Sequence, residues 1–385
     1  MARSYTSAPW SQSKRDNHPR PASKTMDKER LVSLDAFRGL TVAAMILVNN
    51  PGNWVYVYWP LDHARWHGWT PTDLIFPFFL FMVGMALPFS SRVRAREALR
   101  RALVIGLLGI FMAAYPYFDL ATVRIPGVLM RIALCYLAAW TISRITGPLG
   151  HAVIAAALLV LYWYLMTRVP VPGGLPPNLD PETNLGAWLD RTLFGAHLWK
   201  TSKTWDPEGL LSTLPAIATT LLGLLAGGRL RSDRDGIRKT WGLLAAGLVF
   251  VVLGLVWGRS FPINKSLWTS SYVLFTGGLA AYLFGLLYWI ADVRGHRAWC
   301  RPFVIYGRNA ILVFVASGLL ARTLAAIKVH GPDGVAISLQ AWLHRTLLAS
   351  WLPPFPASLA WALANVIVWY AVLHELDRRE IYLKV

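Results

Sequence analysis

The sequence predicts an all-α fold, a polytopic integral membrane helical bundle of about ten transmembrane helices with both termini cytoplasmic. Three observations lead there. Of the 385 residues 55% are hydrophobic and only 15% are charged, where a soluble protein would carry about 25% charged residues. Apolar runs of about 20 residues recur along the whole chain, the length a helix needs to cross a hydrocarbon core of about 30 Å. The basic residues fall in alternate loops, as they do when one side of a membrane protein stays in the cytoplasm. The formal charge of +18 raises nucleic acid as a partner, but no domain or helix concentrates the basic residues, so no nucleic-acid partner is expected. Membrane lipid is the expected surrounding, and a homodimer is compatible with the sequence.

Residues 1–29 are polar and rich in Ser, Lys, Arg and Pro, which predicts a disordered cytoplasmic tail. Their charged lead is too long, and no short apolar core with a small-residue cleavage site follows, so a cleaved signal peptide is not expected. Residues 30–385 form the transmembrane domain. Its first span is expected near 36–57 and its second near 71–90, followed by the basic loop Arg92 to Arg101. The third runs near 99–118, ending at Tyr115-Pro116-Tyr117, the fourth over 127–145 and the fifth over 149–167. A long outer loop, 168–208, is rich in Pro and Gly and carries Asp180, Glu182, Asp190 and Asp206. The sixth span covers 209–228, the seventh 240–258, the eighth 268–291, the ninth 303–324 and the tenth 357–375. Cytoplasmic termini put about 26 of the 38 Lys and Arg on the inner side. The multi-pass protein is then expected in the cell inner membrane with its acid-rich loops outside. Cys135 and Cys300 lack metal-like spacing and are expected as buried free thiols; no metal site is expected.

Polar residues concentrate in the first hairpin, Arg30 to Ser90. Asp35 and Arg38 open its first span, Asn49 and Asn50 end it, His63 and His67 occupy a tryptophan-rich connection, and Asp73 opens the second span. Ionisable and amide groups at membrane depth are costly and often mark function. Fourteen residues of helix place Asp35 and Asn49 roughly 21 Å apart, so Arg38 and His63 lie toward opposite membrane faces. An imidazole suits proton transfer or an acyl intermediate, although His63 among Trp54, Trp59, Trp66 and Trp69 also fits an interfacial belt. Asn49 could steady an imidazole or stabilise a carbonyl oxygen, or simply end the helix before Pro51. Thr70-Pro71-Thr72-Asp73 reads as a capping box with proline at N1, and Asp206-Pro207 reads as another N-cap. Asp35 and Arg38 fit a local i,i+3 ion pair. Asn309, inside an apolar run, fits an interhelical hydrogen bond. Gly227-Gly228 and Gly277-Gly278 lack the context of a phosphate loop and are expected to pack helices.

The motifs Ser33-Leu34-Asp35-Ala36-Phe37-Arg38-Gly39, Val48-Asn49, His63-Ala64-Arg65-Trp66 with Gly68, and Asp73-Leu74-Ile75-Phe76-Pro77 resemble one family. It is the membrane acetyltransferases typified by heparan-α-glucosaminide N-acetyltransferase, with their bacterial NagX-type relatives. Pro262-Ile263-Asn264-Lys265, Leu267-Trp268-Thr269-Ser270 and Tyr306-Gly307-Arg308-Asn309 extend the match over most of residues 30–385. The loop between Asn49 and His63 is slightly longer here. The resemblance implies acetyl-CoA as co-substrate and His63 as the catalytic residue, with Asn49 and Asp73 assisting it. Arg30, Asp35, Arg38 and Lys384 are then the candidates for holding the coenzyme at the cytoplasmic face, where Arg provides forked donors for phosphate. Asp206, Glu208 and Asn264 are the candidates for a small-molecule amino sugar, glucosamine or a glucosamine-ended glycan, arriving from outside. The alternative is an inner-membrane transporter of amino sugars or N-acetylglucosamine, although no internal repeat supports it. A purely structural membrane protein would leave the clustered His, Asn and Asp without a purpose.

Overall fold

The computed structural model describes residues 31–90, 93–330 and 335–383. The expected tail, 1–29, and the candidates Arg30 and Lys384 lie outside the described residues. The described chain is an α-helical bundle, and the protein is a multi-pass membrane protein. Among the described residues eight helical segments are long and apolar enough to span a membrane, and a bent pair makes a ninth. These are α1 (Val32–Asn49), α2 (Ile75–Ala86, with short 3-10 turns at both ends), α4 (Val128–Ile145), α5 (Pro148–Arg168), α7 (Thr213–Arg231), α8 (Gly236–Trp257), α9 (Ser270–Tyr288) and α13 (Pro354–Arg378), with α10 (Arg301–Arg308) and α11 (Ala310–Ala326) as the bent pair. α3 (Ala95–Ala114) is as long as these but carries Arg96, Glu97, Arg100 and Arg101 in its first two turns. The ten expected spans fall on these nine segments and on α3, which is not among the described helices apolar enough to span.

Several boundaries differ from expectation. The first helix stops at Asn49 instead of running to 57: the Asn50 amide bonds back to the Ile46 carbonyl at 2.8 Å, and Pro51 cannot continue the ladder. The sixth span begins at Thr213, not 209, so Asp206 is no helix N-cap. Its Oδ1 accepts from Glu208 N at 2.9 Å, closing a tight turn ahead of α7. The ninth span is broken by 68° at Asn309. There the amide donates to the Ile381 carbonyl at 3.0 Å and accepts from Leu383 N at 3.0 Å, so it straps the segment after α13 onto the break. The outer loop contains an unforeseen helix, α6 (Leu185–Phe194), which Asn184 caps by accepting from Ala187 N at 2.9 Å. A two-stranded hairpin, β1 (Lys328–His330) and β2 (Ala336–Ser338), precedes the short α12 (Leu339–His344).

α7 is the most enclosed span, 72% buried, whereas α5 is 28% and α8 and α13 are each 22% buried. Close backbone approach explains the packing around α7. A Cβ on Gly223 would sit 1.9 Å from the Phe81 carbonyl oxygen, and one on Gly227 2.3 Å from that of Met85, so only glycine lets α7 lie against α2. Gly278 makes the same kind of contact with Gly247 of α8, and Gly277 meets the Leu222 side chain. Gly228 departs from expectation: nothing lies within 4 Å of its Cβ position. At the start of α1, Val32 N and Ser33 N donate to the two oxygens of Asp292 at 3.1 and 3.0 Å, which caps the positive helix end with a carboxylate from beyond α9.

Candidate active site

The connection between α1 and α2 holds His63 at one end of the bundle. Its path is fixed by local bonds: Thr70 Oγ1 donates to the Asp62 carbonyl at 2.6 Å and Thr72 Oγ1 to that of Pro60 at 3.0 Å. Gly68, at φ +101°, donates its N–H to the Ile263 carbonyl at 2.8 Å, joining this connection to the α8–α9 turn. Trp66 packs edge-on against Trp205 at 5.2 Å and donates to the Leu179 carbonyl, which joins it to the outer loop.

Asp73 sits at the centre of this arrangement, its side chain 1% exposed. Its Oδ2 accepts from Ala64 N and Thr70 N, each at 3.0 Å, the second being the reach-back arm of the expected capping box. Its Oδ1 lies 2.7 Å from His63 Nδ1. A carboxylate only accepts, so His63 Nδ1–H is the donor of this bond. His63 itself is half exposed. Its third neighbour is Lys265, whose Nζ lies 3.0 Å from Nδ1, 3.3 Å from Nε2 and 3.6 Å from Asp73 Oδ1. Burial pulls the Lys265 ammonium below its ordinary pKa, against the opposing attraction of Asp73 and Glu208.

Lys265 owes its position to the turn it occupies. Asn264 is fully buried: its Oδ1 accepts from Leu267 N at 2.8 Å, its backbone N donates to Thr269 Oγ1 at 3.1 Å, and its amide contacts His67 Nδ1 at 3.3 Å. Asn264, a candidate contact for the amino sugar, shapes the turn that presents the neighbouring lysine.

A second charged cluster lies beside the first. Arg124 forks onto Asp206, Nε to Oδ2 at 2.8 Å and Nη2 to Oδ1 at 2.5 Å, and also meets Glu208. Asp206 is fully enclosed and takes Trp199 N at 3.1 Å as well, so it braces the outer loop and offers no open oxygen to a cationic sugar. Burial works against the charge of Arg124, but Glu208 and Asp206 more than offset it and hold its pKa above the ordinary value. Glu208 is the freer of the two acids and lies within electrostatic reach of Lys265 and the buried Arg131. Arg131 donates to the Gly209 carbonyl at 3.0 Å and to Ser212, and stacks over Trp268 at 5.0 Å.

The remaining candidates are placed as follows. Asn49 is exposed at the end of α1, with no side-chain hydrogen bond among the described residues, so the imidazole tautomer is held by Asp73 and not by Asn49. Asp35 and Arg38 form the i,i+3 pair at 3.3 Å, at the opposite end of α1 from His63. The structure therefore unites His63 with Asp73 and sets Asp206 and Glu208 on Arg124. It adds Lys265, Arg124 and Arg131, which sequence reasoning passed over. Lys265 had a signal, a lysine directly after Asn264 in a short turn between two apolar spans.

The bundle defines a polytopic membrane protein, with a carboxylate–imidazole–ammonium group, its imidazole half exposed, at one end. The family described as heparan-alpha-glucosaminide N-acetyltransferase, catalytic, matches residues 30–256, and the chain belongs to it. It is similar to heparan-alpha-glucosaminide N-acetyltransferase of Homo sapiens, 30% identical over 352 residues covering 74% of this chain and 52% of the relative. The protein of that name from Mus musculus is 28% identical over 365 residues, covering 78% of this chain and 55% of the relative. The chain thus spans about half the length of the curated relatives it matches.

Proposed function

We propose that this protein is an N-acetyltransferase of the cell inner membrane that moves an acetyl group from cytoplasmic acetyl-CoA to the amine of glucosamine or a glucosamine-ended glycan on the outer side. The reading is carried by the assembly of His63, Asp73 and Lys265 from two separate connections of a chain in this family. Asp73 holds the imidazole with Nε2 basic. The amine nitrogen attacks the thioester carbonyl as Nε2 takes its proton, and the proton then returns to the departing sulfur to give the free thiol. The same nitrogen could instead take the acetyl group first and pass it on. The Lys265 ammonium, close to both ring nitrogens, faces the place where negative charge develops on the carbonyl oxygen. Glu208 supplies the negative charge that draws a cationic amine to the mouth, where the amine gives up one proton to water before it attacks. Arg38 supplies a cation for the coenzyme phosphates at the other end of α1, and the sequence offers Arg30 and Lys384 for the same task. The roughly 21 Å between Asp35 and Asn49 along α1 is bridged by the coenzyme's extended arm.

The test is acetyl transfer by the purified protein in detergent, with labelled acetyl-CoA and glucosamine. Wild type is expected to yield labelled N-acetylglucosamine, and His63→Ala to lose about 10²–10⁴-fold of the rate. Asp73→Asn, which leaves the ring free to adopt the wrong tautomer, is expected to fall about 10²-fold in kcat with little change in donor KM. No product from wild type, together with uptake of labelled N-acetylglucosamine into vesicles, would replace the enzyme by a transporter.

A further inference from the structure

The end of the bundle opposite His63 holds a cavity of about 670 Å³. That volume has room for roughly twenty waters, far more than a single small anion needs. It opens between the last turns of α2, α4 and α7 and the first turn of α5. Two bonds tie these ends together: Arg231 donates to the Pro88 carbonyl at 2.6 Å and Arg144 to that of Val93 at 2.9 Å. Arg144, Arg229, Arg231 and Arg234 all line the cavity, and no Asp or Glu does among the described residues.

Two further lining groups are polar and unsatisfied. His151 is 8% exposed and its Nε2 has no hydrogen-bond partner, and the buried Nε1 of Trp140 has none either. Buried polar atoms in a native structure normally find a partner. An indole N–H donates only, and an imidazole nitrogen donates or accepts according to tautomer. Four guanidiniums, one indole donor and one adaptable imidazole together suit a phosphate oxyanion that bears hydroxyls nearby.

The surroundings favour a lipid as its source. Ile145 at the end of α4 and Leu149 and Val153 on α5 are 73%, 79% and 57% exposed, which gives acyl chains an apolar surface beside the opening. Leu87 and Leu224 supply an apolar floor. Basic groups at the ends of spans on the basic side of a membrane meet anionic headgroups there. We propose that this cavity is a binding site for phosphate-bearing anions, occupied in the membrane by the headgroup of an acidic phospholipid. It shares no residue with the His63 cluster or with the residues proposed for coenzyme A.

Native mass spectrometry of the full-length protein in detergent tests this. Dioctanoyl phosphatidylglycerol is expected to bind about tenfold more tightly than dioctanoyl phosphatidylcholine. The double variant Arg234→Gln/His151→Phe should bring the two lipids to equal affinity. Gly228→Leu lines the cavity without meeting any neighbouring atom at its Cβ, so it should exclude the lipid by filling space while the thermal midpoint stays near wild type. Equal binding of both lipids to wild type, or undiminished phosphatidylglycerol binding by both variants, overturns the proposal. Displacement of the lipid by an equal concentration of inorganic phosphate would assign the cavity to free phosphate. Displacement by coenzyme A, with binding of coenzyme A lost in the double variant, would make it the donor's nucleotide site. Either result overturns the lipid assignment.

Discussion

At the scale of single residues, Lys265 and Asp190 carry charges whose cost is set by burial. Lys265 loses its proton more readily than a free lysine, so a rate that depends on its ammonium declines as pH rises toward its lowered pKa. Lys265→Met is expected to reduce kcat and to remove this alkaline limb from the pH profile, while Lys265→Arg keeps part of the rate. An unchanged limb in the methionine variant would assign the limb to another group. Asp190 receives Leu210 N at 3.0 Å from within the folded outer loop. Burial raises its pKa to about 6; the Leu210 N–H lowers it and neighbouring Asp206 raises it further. The folded chain therefore holds a proton that the unfolded chain releases near pH 4, and stability declines as pH rises between these values, by about 2–3 kcal/mol. Asp190→Asn, which keeps an oxygen for Leu210 N, is expected to flatten the dependence of the thermal midpoint on pH between about 4 and 6.

At the scale of elements, the decisive contacts are glycines where helices touch backbone to backbone. Gly223→Val would press a side chain into the Phe81 carbonyl and separate α7 from α2, at a cost of about 2 kcal/mol or more. Gly228→Ala on the same helix meets nothing and is expected to leave the thermal midpoint within a degree or two. Size-exclusion profiles and melting curves of the two variants side by side check this. Elements of this kind were legible in part. Apolar runs marked the helices because lipid demands about twenty apolar residues in a row. The break at Asn309 and the late start of α7 were not, because both arise from bonds to distant or non-helical segments that no local pattern records. The site divides the same way. His63 and Asp73 stand ten residues apart in one hairpin, so a single stretch announces both. Lys265 stands 202 residues from His63, and contacts between loops, Gly68 with Ile263 and His67 with Asn264, bring the two together.

At the scale of the whole molecule, the helices alternate so that the His63 cluster, α6 and the Asp206 turn share one end, while Asp35, Arg38 and the basic cavity share the other. The distribution of Lys and Arg leads us to propose that the second end faces the cytoplasm. A membrane-impermeant maleimide is expected to label Asp180→Cys in intact spheroplasts and to label Arg294→Cys only after permeabilisation. Cys135 and Cys300 are both buried and should contribute little background. Reversed labelling would invert the topology and place the acetyl donor on the other side.

The carboxylate of Asp292 closes the start of α1 from 260 residues downstream. During synthesis α1 leaves the ribosome well before α9, so its two leading amides have no Asp292 to bind until that later segment has been made and inserted. The lysine that completes the imidazole's surroundings arrives in that same late portion. The hairpin that carries His63 must therefore wait in the membrane as an unfinished piece while the chain up to Asp292 is built. A nascent chain released before residue 292 would hold every residue of that hairpin and still lack the clasp that sets it.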